Sequence, residues 1–233
     1  MNLFYAPFLE TTDKLYTFDK DESRHIARVL RKRIGDKLFL TDGNGHLFQS
    51  EILDDNPKKT HVNILKVETY APSKINIHIA MAPTKSNERF EWFLEKATEI
   101  GITEITPILT AHSERKKINW ARYDKILVAA MKQSLQMYKP TLHPLIKWHD
   151  FVGKSFEKHQ KLIAYCKAEK HIKKTVLPEM NVLLIIGPEG GFSDEEIAQA
   201  QAQQFFPVGL SKSRLRTETA GLFGLAAIHF VND

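Results

Sequence analysis

Apolar positions divide the chain into two regions with different periods. From residue 73 onward, short apolar runs alternate with segments in which apolar side chains recur every three or four residues. The runs predict buried strands, and the recurring positions predict amphipathic helices. This alternation is typical of a parallel sheet with helices on both faces. We therefore predict an α/β fold for this region.

The elements of this region can be placed from the same pattern. The predicted strands are 75–80, 105–109, 162–166, 182–186 and 206–210. The predicted helices are 87–100, 120–136, 194–204 and 217–231. Glycine after a periodic segment is a helix stop signal, so Gly101 should end the first helix. The apolar face of that helix is expected to carry Phe90, Phe93, Leu94, Ala97 and Ile100.

The first 71 residues show the pattern of a small mixed domain. Strands are predicted at 37–41, 46–53 and 60–67, the first two joined by a hairpin at 42–45. A helix is predicted at 21–33, with Ile26, Val29 and Leu30 on its apolar face. Several short strands with one helix predict a small barrel. The polar, proline-containing segment 71–73 is the predicted boundary, so the two domains span 1–71 and 72–233.

Positive charge is unevenly distributed. The chain has 233 residues, a net charge of +5 and a pI of about 9.1. Residues 1–71 carry 11 basic and 11 acidic side chains, and residues 72–233 carry 22 and 17. Even so, Arg24, Arg28 and Arg31 form a stripe on the predicted N-terminal helix. This stripe is either an ordinary solvated helix face or a contact for the backbone of RNA.

The cysteine and histidine content argues against disulfides and metal sites, and the hydropathy argues against membrane insertion. The single cysteine, Cys166, excludes an intrachain disulfide and a multi-cysteine zinc site, and we expect it to be buried. The ten histidines lack zinc-ligand spacing, so no metal site is predicted. No signal-peptide pattern and no apolar stretch long enough to span a bilayer is present, so we expect a cytoplasmic protein without membrane contact.

The predicted strand 182–186 runs into a glycine-rich turn at 187–192, which opens a helix. This is the layout of a ligand loop at the carboxyl edge of a parallel sheet. Glu189 within the turn and the acidic residues 194–196 would repel a pyrophosphate. A neutral or locally cationic ligand, such as S-adenosylmethionine with its sulfonium, suits the turn better. The alternative is a tight connection without a ligand, and Ser193 with Glu196 predicts a capping box in either case.

A second loop, 209–216, follows the predicted strand 206–210 and should lie at the same sheet edge. Arg214 and Arg216 would then lie beside the glycine-rich turn, where they can hold a phosphate or the polar edge of a base. The alternative is that they form surface ion pairs, for example with Glu218. The small residues Gly221 and Gly224 in the following helix permit close packing, either within the chain or at a subunit interface.

Together these motifs resemble a known family. The segments 187–193 (GPEGGFS) and 215–220 (LRTETA) are similar to those of the RsmE-type 16S ribosomal RNA uridine-N3 methyltransferases, of the trefoil-knotted SPOUT superfamily. Segments 89–92 and 95–101 on the first amphipathic helix, and parts of 25–36, also resemble this family.

The resemblance implies a PUA-like RNA-binding barrel at 1–71 and a knotted SPOUT methyltransferase domain at 72–233. It implies S-adenosyl-L-methionine as cofactor, 16S ribosomal RNA or the small ribosomal subunit as partner, and a homodimer packed through the last helix. The cofactor-binding positions that carry over are Ile186, Gly187, Glu189, Gly190, Gly191, Leu210, Ser211 and Leu215.

The chain departs from the family pattern at four places, one of which is the absence of an arginine often seen near the start. The second loop, usually L-G-x-R, reads Leu210–Ser213 with Arg214 displaced by one position, and segments 111–113 and 133–136 also differ. We hypothesise that Arg216, or else Arg214, stabilises charge on the uridine, and that Glu218 accepts the N3 proton or only orients Arg216. The alternatives are an RNA-binding protein without transferase activity and a SPOUT methyltransferase acting on another RNA base.

Overall fold

A computed structural model describes residues 2–232, which form two compact units. One unit contains the residues up to Pro72 together with Met131–Lys139. The other contains Ser73–Ala130 and the residues from Pro140 onward. The nine-residue segment Met131–Lys139 has no signal in the sequence that assigns it to the N-terminal unit.

The N-terminal unit is built on a curled, mainly antiparallel sheet. Its strands are β1 (Leu3–Tyr5), β2 (Leu15–Thr17), β3 (Lys37–Thr41), β4 (His46–Asp54) and β5 (His61–Thr69), in the order β1-β3-β4-β5-β2. Only the β1–β3 pair is parallel. The predicted strands correspond to β3, β4 and β5, whereas the three-residue strands β1 and β2 were not predicted. Phe48, Leu40 and Ile52 lie in its fully buried core.

The prediction of a helix at 21–33 was wrong in the extent of the helix and in the residues of its apolar face. The structure has a short helix, α1 (Lys20–Arg24), capped by Asp19, and then a π-helical turn at His25–Val29. A π turn holds more residues per turn than an α-helix, so the period of 3.6 no longer decides which side chains face the core. Ile26 is buried as predicted, but Val29 is 65% exposed.

The C-terminal unit has a parallel sheet in the order β12-β10-β11-β6-β7-β8, with β9 also paired to β7. The strands are β6 (Ile77–Met81), β7 (Glu104–Leu109), β8 (Thr141–Leu142), β9 (Ile146–Lys147), β10 (His159–Ala164), β11 (Asn181–Ile186) and β12 (Phe206–Val208). All their pairings are parallel. This confirms the predicted parallel sheet; the short strands β8 and β9 were not predicted. The knot that the resemblance implies remains a prediction.

Helices cover both faces of this sheet. They are α2 (Asn87–Ile100), α3 (Trp120–Gln133), α4 (Trp148–Val152), α5 (Asp194–Ala202) and α6 (Thr217–Asn232), with a 3-10 turn at Ile172–Lys174. One core contains Phe93, Leu127 and Leu225 from α2, α3 and α6. The other contains Phe151 and Ile197 from α4 and α5. The α/β architecture with helices on both faces is therefore confirmed.

Two details of this unit differ from expectation. Ile100 at the end of α2 is 38% exposed, although Gly101 ends the helix as predicted, with a left-handed φ of +106°. Cys166 is exposed, because β10 already ends at Ala164 and the cysteine lies in the turn beyond it. None of the helices in residues 2–232 combines the length and apolarity that crossing a membrane requires.

The glycines of α6 are used within the chain. A Cβ on Gly221 would lie 2.7 Å from the ring of Phe93, and one on Gly224 would lie 2.4 Å from Leu184 Cδ2. Both distances are far below van der Waals contact, so these glycines let α6 approach α2 and β11. The intramolecular alternative for this small-residue stripe is therefore realised.

Candidate active site

Four of the loops that leave the carboxyl edge of the parallel sheet are joined to one another by hydrogen bonds. They are residues 82–86 after β6, 110–119 after β7, 187–193 after β11 and 209–216 after β12. In open parallel sheets, ligands bind outside the carboxyl ends of the strands. The sequence predicted the last two loops as a site, and the structure adds the first two.

The glycine-rich turn is shaped by its neighbours. Gly191 has a φ of +75°, and its N–H donates to the carbonyl of Pro188 at 2.9 Å. A Cβ on Gly187 would lie 2.9 Å from the ring of Phe192, and one on Gly190 would lie 3.0 Å from His112 Cβ. One glycine supplies a left-handed backbone and the other two leave room for adjacent side chains, so all three are needed for this turn.

Glu189 makes two contacts that account for an acidic residue in this turn. Its carboxylate Oε1 accepts the backbone N–H of Lys85 at 3.1 Å. Its main-chain carbonyl accepts a hydrogen bond from Arg214 Nη2, also at 3.1 Å. The residue therefore joins the glycine-rich turn to the loop after β6 and to the loop after β12. The two loops that the sequence singled out are brought together in this way.

The helix after the turn begins with the predicted capping box. Ser193 Oγ accepts the N–H of Glu196 at 3.2 Å, and Glu196 Oε2 accepts the N–H of Ser193 at 2.9 Å. The second oxygen of the buried Glu196 carboxylate accepts the N–H of Ala111 at 2.7 Å. The cap therefore also fixes the loop after β7 against the turn.

Two basic residues of the site were not identified from the sequence as site residues. His112 Nδ1 lies 3.1 Å from the carbonyl of Gly191, and its Cβ packs against Gly190. Arg115 donates through Nε to the carbonyl of Thr84 at 3.0 Å and through Nη2 to that of Lys85 at 2.7 Å. The one feature of the sequence that pointed to this loop was the departure of segment 111–113 from the family pattern.

Glu218 is a buried acid beside the second loop. It lies in the first turn of α6, is 6% exposed, and its Oε2 has no hydrogen-bond partner. Arg89 Nε on α2 lies 3.8 Å from its Oε1. Arg216 is exposed and, within residues 2–232, no carboxylate lies within 4.0 Å of it. The structure therefore pairs Glu218 with Arg89 and does not show it orienting Arg216.

The other cofactor-binding positions also lie around this edge. Ile186, Leu210 and Leu215 belong to the same apolar cluster, with Leu210 buried and Leu215 partly buried. Ser211 Oγ accepts the N–H of Ser213 at 3.1 Å. In the described part of the chain, the N–H groups of Gly190, Leu210 and Leu215 make no backbone hydrogen bond. An apolar wall with unused main-chain donors fits a nucleoside-type ligand that is held by backbone groups.

The proposed RNA-binding residues lie in the other unit. Arg24 ends α1, Arg28 lies in the π turn, and Arg31 follows it with a left-handed φ of +55°. All three are exposed, and no acidic side chain within residues 2–232 forms an ion pair with them. They do not form the straight stripe that an α-helix would give, because the α-helix ends at Arg24.

Sequence comparison decides between the classes that this site allows. Residues 71–229 match the family model described as an RNA methyltransferase domain, and residues 18–65 match an RNA methyltransferase PUA domain. The chain belongs to the RNA methyltransferase family. A ribosomal RNA small subunit methyltransferase E from Buchnera aphidicola is 28% identical over 226 residues, which cover 91% of this chain and 87% of the relative.

Solved structures of this family share the whole architecture. A probable rRNA-methyltransferase from Porphyromonas gingivalis is 39% identical, with a TM-score of 0.92 over 100% of this chain and 98% of that one. The ribosomal RNA small subunit methyltransferase E of Neisseria gonorrhoeae, bound to S-adenosyl methionine, is 27% identical with a TM-score of 0.89 and the same coverage. Both units of the RNA methyltransferase therefore have counterparts in these proteins.

Proposed function

We propose that this RNA methyltransferase transfers a methyl group from S-adenosyl-L-methionine to N3 of a uridine in 16S ribosomal RNA. The observation that carries the proposal is the hydrogen bond between Arg214 and Glu189, which joins two loops of the sheet edge. The buried, partly unpaired carboxylate of Glu218 follows the second of these loops by two residues. The Neisseria gonorrhoeae relative that binds S-adenosyl methionine supports the same cofactor for this chain.

The chain's main contribution is to hold the cofactor in place. S-adenosyl-L-methionine supplies an electrophilic methyl group on a sulfonium. The backbone groups of Gly190, Leu210 and Leu215 would hold its nucleoside part, and the apolar wall with Ile186 excludes water. Alignment of donor and acceptor atoms removes most of the entropic cost of a displacement reaction.

Proton transfer is the second requirement, because N3 of uridine carries a proton. We propose that Glu218 accepts this proton. Within residues 2–232, its Oε2 is the one buried carboxylate oxygen without a hydrogen-bond partner. The N3–H bond breaks, a bond from N3 to the methyl carbon forms, and the carbon–sulfur bond breaks to leave a neutral thioether. Arg216 would stabilise the negative charge that develops on O2 or O4 of the base.

RNA binding and assembly complete the proposal. We assign contacts with the RNA backbone to Arg24, Arg28 and Arg31, since exposed, unpaired guanidinium groups are typical phosphate ligands. We also propose a homodimer through α6, on which Phe223 is 43% and Phe230 is 85% exposed. An enzyme of ribosomal RNA works where ribosomes are, so we place it in the cytoplasm.

The decisive experiment measures the product. Small ribosomal subunits from a strain that lacks the gene are incubated with the purified protein and S-adenosylmethionine, and the nucleosides of 16S RNA are analysed by mass spectrometry. The proposal requires 3-methyluridine to appear only when the protein is present. A different methylated nucleoside would mean that the enzyme acts on another base.

The altered second loop, 210–213, keeps one alternative function open. A protein with this loop that binds RNA but transfers no methyl group would give no methylated nucleoside on any RNA. Isothermal titration with S-adenosylmethionine separates the cases, because our proposal requires binding and the alternative is favoured by its absence.

A further inference from the structure

Three ionisable side chains meet at the edge of the parallel sheet opposite the candidate active site. His78 lies near the start of β6, Glu104 is the first residue of β7, and His143 directly follows β8. His78 and Glu104 lie at the amino ends of their strands, and His143 lies alongside the start of β7, where its N–H donates to the carbonyl of Ile105 at 2.9 Å. The loops of the candidate active site leave the carboxyl ends of the strands instead. The cluster therefore has no part in the proposed methyl transfer.

The register of the sheet places the three side chains on one face. His78 is the direct partner of Glu104 in the β6–β7 pair, and Glu104 is the partner of Thr141 in the β7–β8 pair. His143 stands two residues after Thr141 and therefore points to the same face. One ligand atom from each residue lies within 4.8 Å of the other two.

The distances resemble those of a metal site before the ion binds. His143 Nε2 lies 2.7 Å and His78 Nδ1 lies 3.9 Å from Glu104 Oε2. Zn²⁺ binds imidazole and carboxylate at about 2.0–2.2 Å in a tetrahedron, which sets ligand atoms about 3.3 Å apart. Changes of about 1 Å in side-chain position would therefore convert the cluster into a coordination sphere with one place left for water.

Neighbouring residues hold two of the three ligands in place by hydrogen bonds, as the residues around known metal sites do. Thr106 Oγ1 lies 2.7 Å from His78 Nε2, so that the other ring nitrogen, Nδ1, faces the cluster. Asn76 Nδ2 donates to Glu104 Oε1 at 2.6 Å, which leaves Oε2 for the centre. His78 and Glu104 therefore each have one atom held by a neighbour and one atom directed toward the centre of the cluster.

The burial of the three side chains also suits a metal site. His78 is 3% exposed and packs against the rings of Phe151 and Phe156. Glu104 and His143 are only partly buried, which leaves an entry path for an ion.

We propose that His78, Glu104 and His143 form a binding site for a divalent transition-metal ion, with Zn²⁺ as the best-suited ion. Two imidazoles and one carboxylate are a ligand set that Zn²⁺ uses in proteins. The sequence predicted no metal site, because the three residues are 26 and 39 positions apart and match no ligand motif. The ion would link three adjacent strands and stabilise this edge of the sheet.

The test uses the full-length protein, treated with EDTA and dialysed into a buffer that does not bind metals. Isothermal titration with Zn²⁺ should show one ion per chain, and the melting temperature should rise with added Zn²⁺. Titration with Co²⁺ should produce the visible absorption bands of a low-symmetry site. If Zn²⁺ does not bind at one ion per chain, the proposal is overturned.

Three variants locate the bound ion. His143→Gln removes a partly exposed ligand and should weaken Zn²⁺ binding at least about tenfold, and Thr106→Val, which frees His78 from its orienting partner, should weaken it about tenfold. His149→Gln removes an exposed imidazole outside the cluster and is the matched control. Unchanged affinity in His143→Gln, or an equal loss in His149→Gln, would place the ion elsewhere and refute the site.

Two controls separate this proposal from the proposed function and from misfolding. Circular dichroism of each variant without metal verifies the fold. Binding of S-adenosylmethionine, at the opposite edge of the sheet, should be the same in His143→Gln and in the unaltered protein. The two proposals can therefore fail separately. Absence of Zn²⁺ binding with normal methyl transfer would refute only the metal site, and Zn²⁺ binding without methyl transfer would refute only the proposed function.

Discussion

Arg214 donates from Nη2 to the main-chain carbonyl of Glu189 at 3.1 Å, across 25 positions of sequence. This hydrogen bond ties the loop after β12 to the glycine-rich turn after β11. Both loops contain positions that the family resemblance assigns to the cofactor. The relationship therefore makes the geometry of the cofactor site depend on a side chain that need not contact the cofactor itself.

Removing this tether should weaken cofactor binding. In Arg214→Ala the second loop loses a hydrogen bond worth about 1 kcal/mol, so the affinity for S-adenosylmethionine should fall about fivefold. Isothermal titration measures the change. Lys212→Ala, which removes an exposed basic side chain from the same loop, is the control and should bind normally. Equal affinities for both variants would show that the tether does not shape the site.

Arg216 should act in the chemical step and not in cofactor binding. Its guanidinium is exposed and free of carboxylates in the part of the chain that is described, so it is available to a bound base. Arg216→Ala should leave the affinity for S-adenosylmethionine nearly unchanged and lower the rate of methyl transfer about 100-fold or more. Single-turnover rates with small ribosomal subunits measure this. Turnover at the rate of the unaltered enzyme would remove Arg216 from the mechanism.

Glu218→Gln tests the proton acceptor. The amide keeps the size of the buried side chain but cannot take a proton from N3, so methyl transfer should slow by about 100-fold or more. Affinity for S-adenosylmethionine should change little. Glu195→Gln, an exposed acid in the first turn of α5, serves as the control. If Glu218→Gln retains full activity, the carboxylate has only a packing role beside Arg89.

The arginines of the N-terminal unit should govern the salt dependence of RNA binding. Replacing Arg28 by alanine should reduce the slope of log affinity against log salt concentration by about 1, because one phosphate contact is lost. Fluorescence anisotropy with a 16S RNA fragment at several salt concentrations gives the slope. Lys58→Ala, an exposed position in the β4–β5 connection, should leave it unchanged. Identical slopes would assign RNA binding to another surface.

The sequence pattern was sufficient to predict an element where that element buries one regular face or depends on residues close together in the chain. α2 was placed at residues 87–100 because apolar side chains recur with the helical period and Gly101 adopts the left-handed conformation that ends it. The capping box of Ser193 and Glu196 was predicted for a similar reason, since its partners are three residues apart. The two loops of the candidate site were found because each follows an apolar strand.

Pattern failed where the backbone departs from a regular period. The π turn at His25–Val29 rotates Val29 away from the core, which a period of 3.6 cannot describe. The strands β1 and β2 have three residues each and carry too few positions to show an alternation. Cys166 lies just past the end of β10, where a shift of two residues in the boundary changes burial to exposure.

What the sequence determined by itself is the alternation of strands and helices, the glycine-rich turn and its acidic helix start, and the resemblance to an RNA methyltransferase family. These depend on interactions between residues close in the chain. Only the tertiary structure decided that Glu218 faces Arg89, that Arg214 reaches Glu189, and that His78, Glu104 and His143 converge. Strand order and register bring these residues together, and neither is encoded by spacing along the chain.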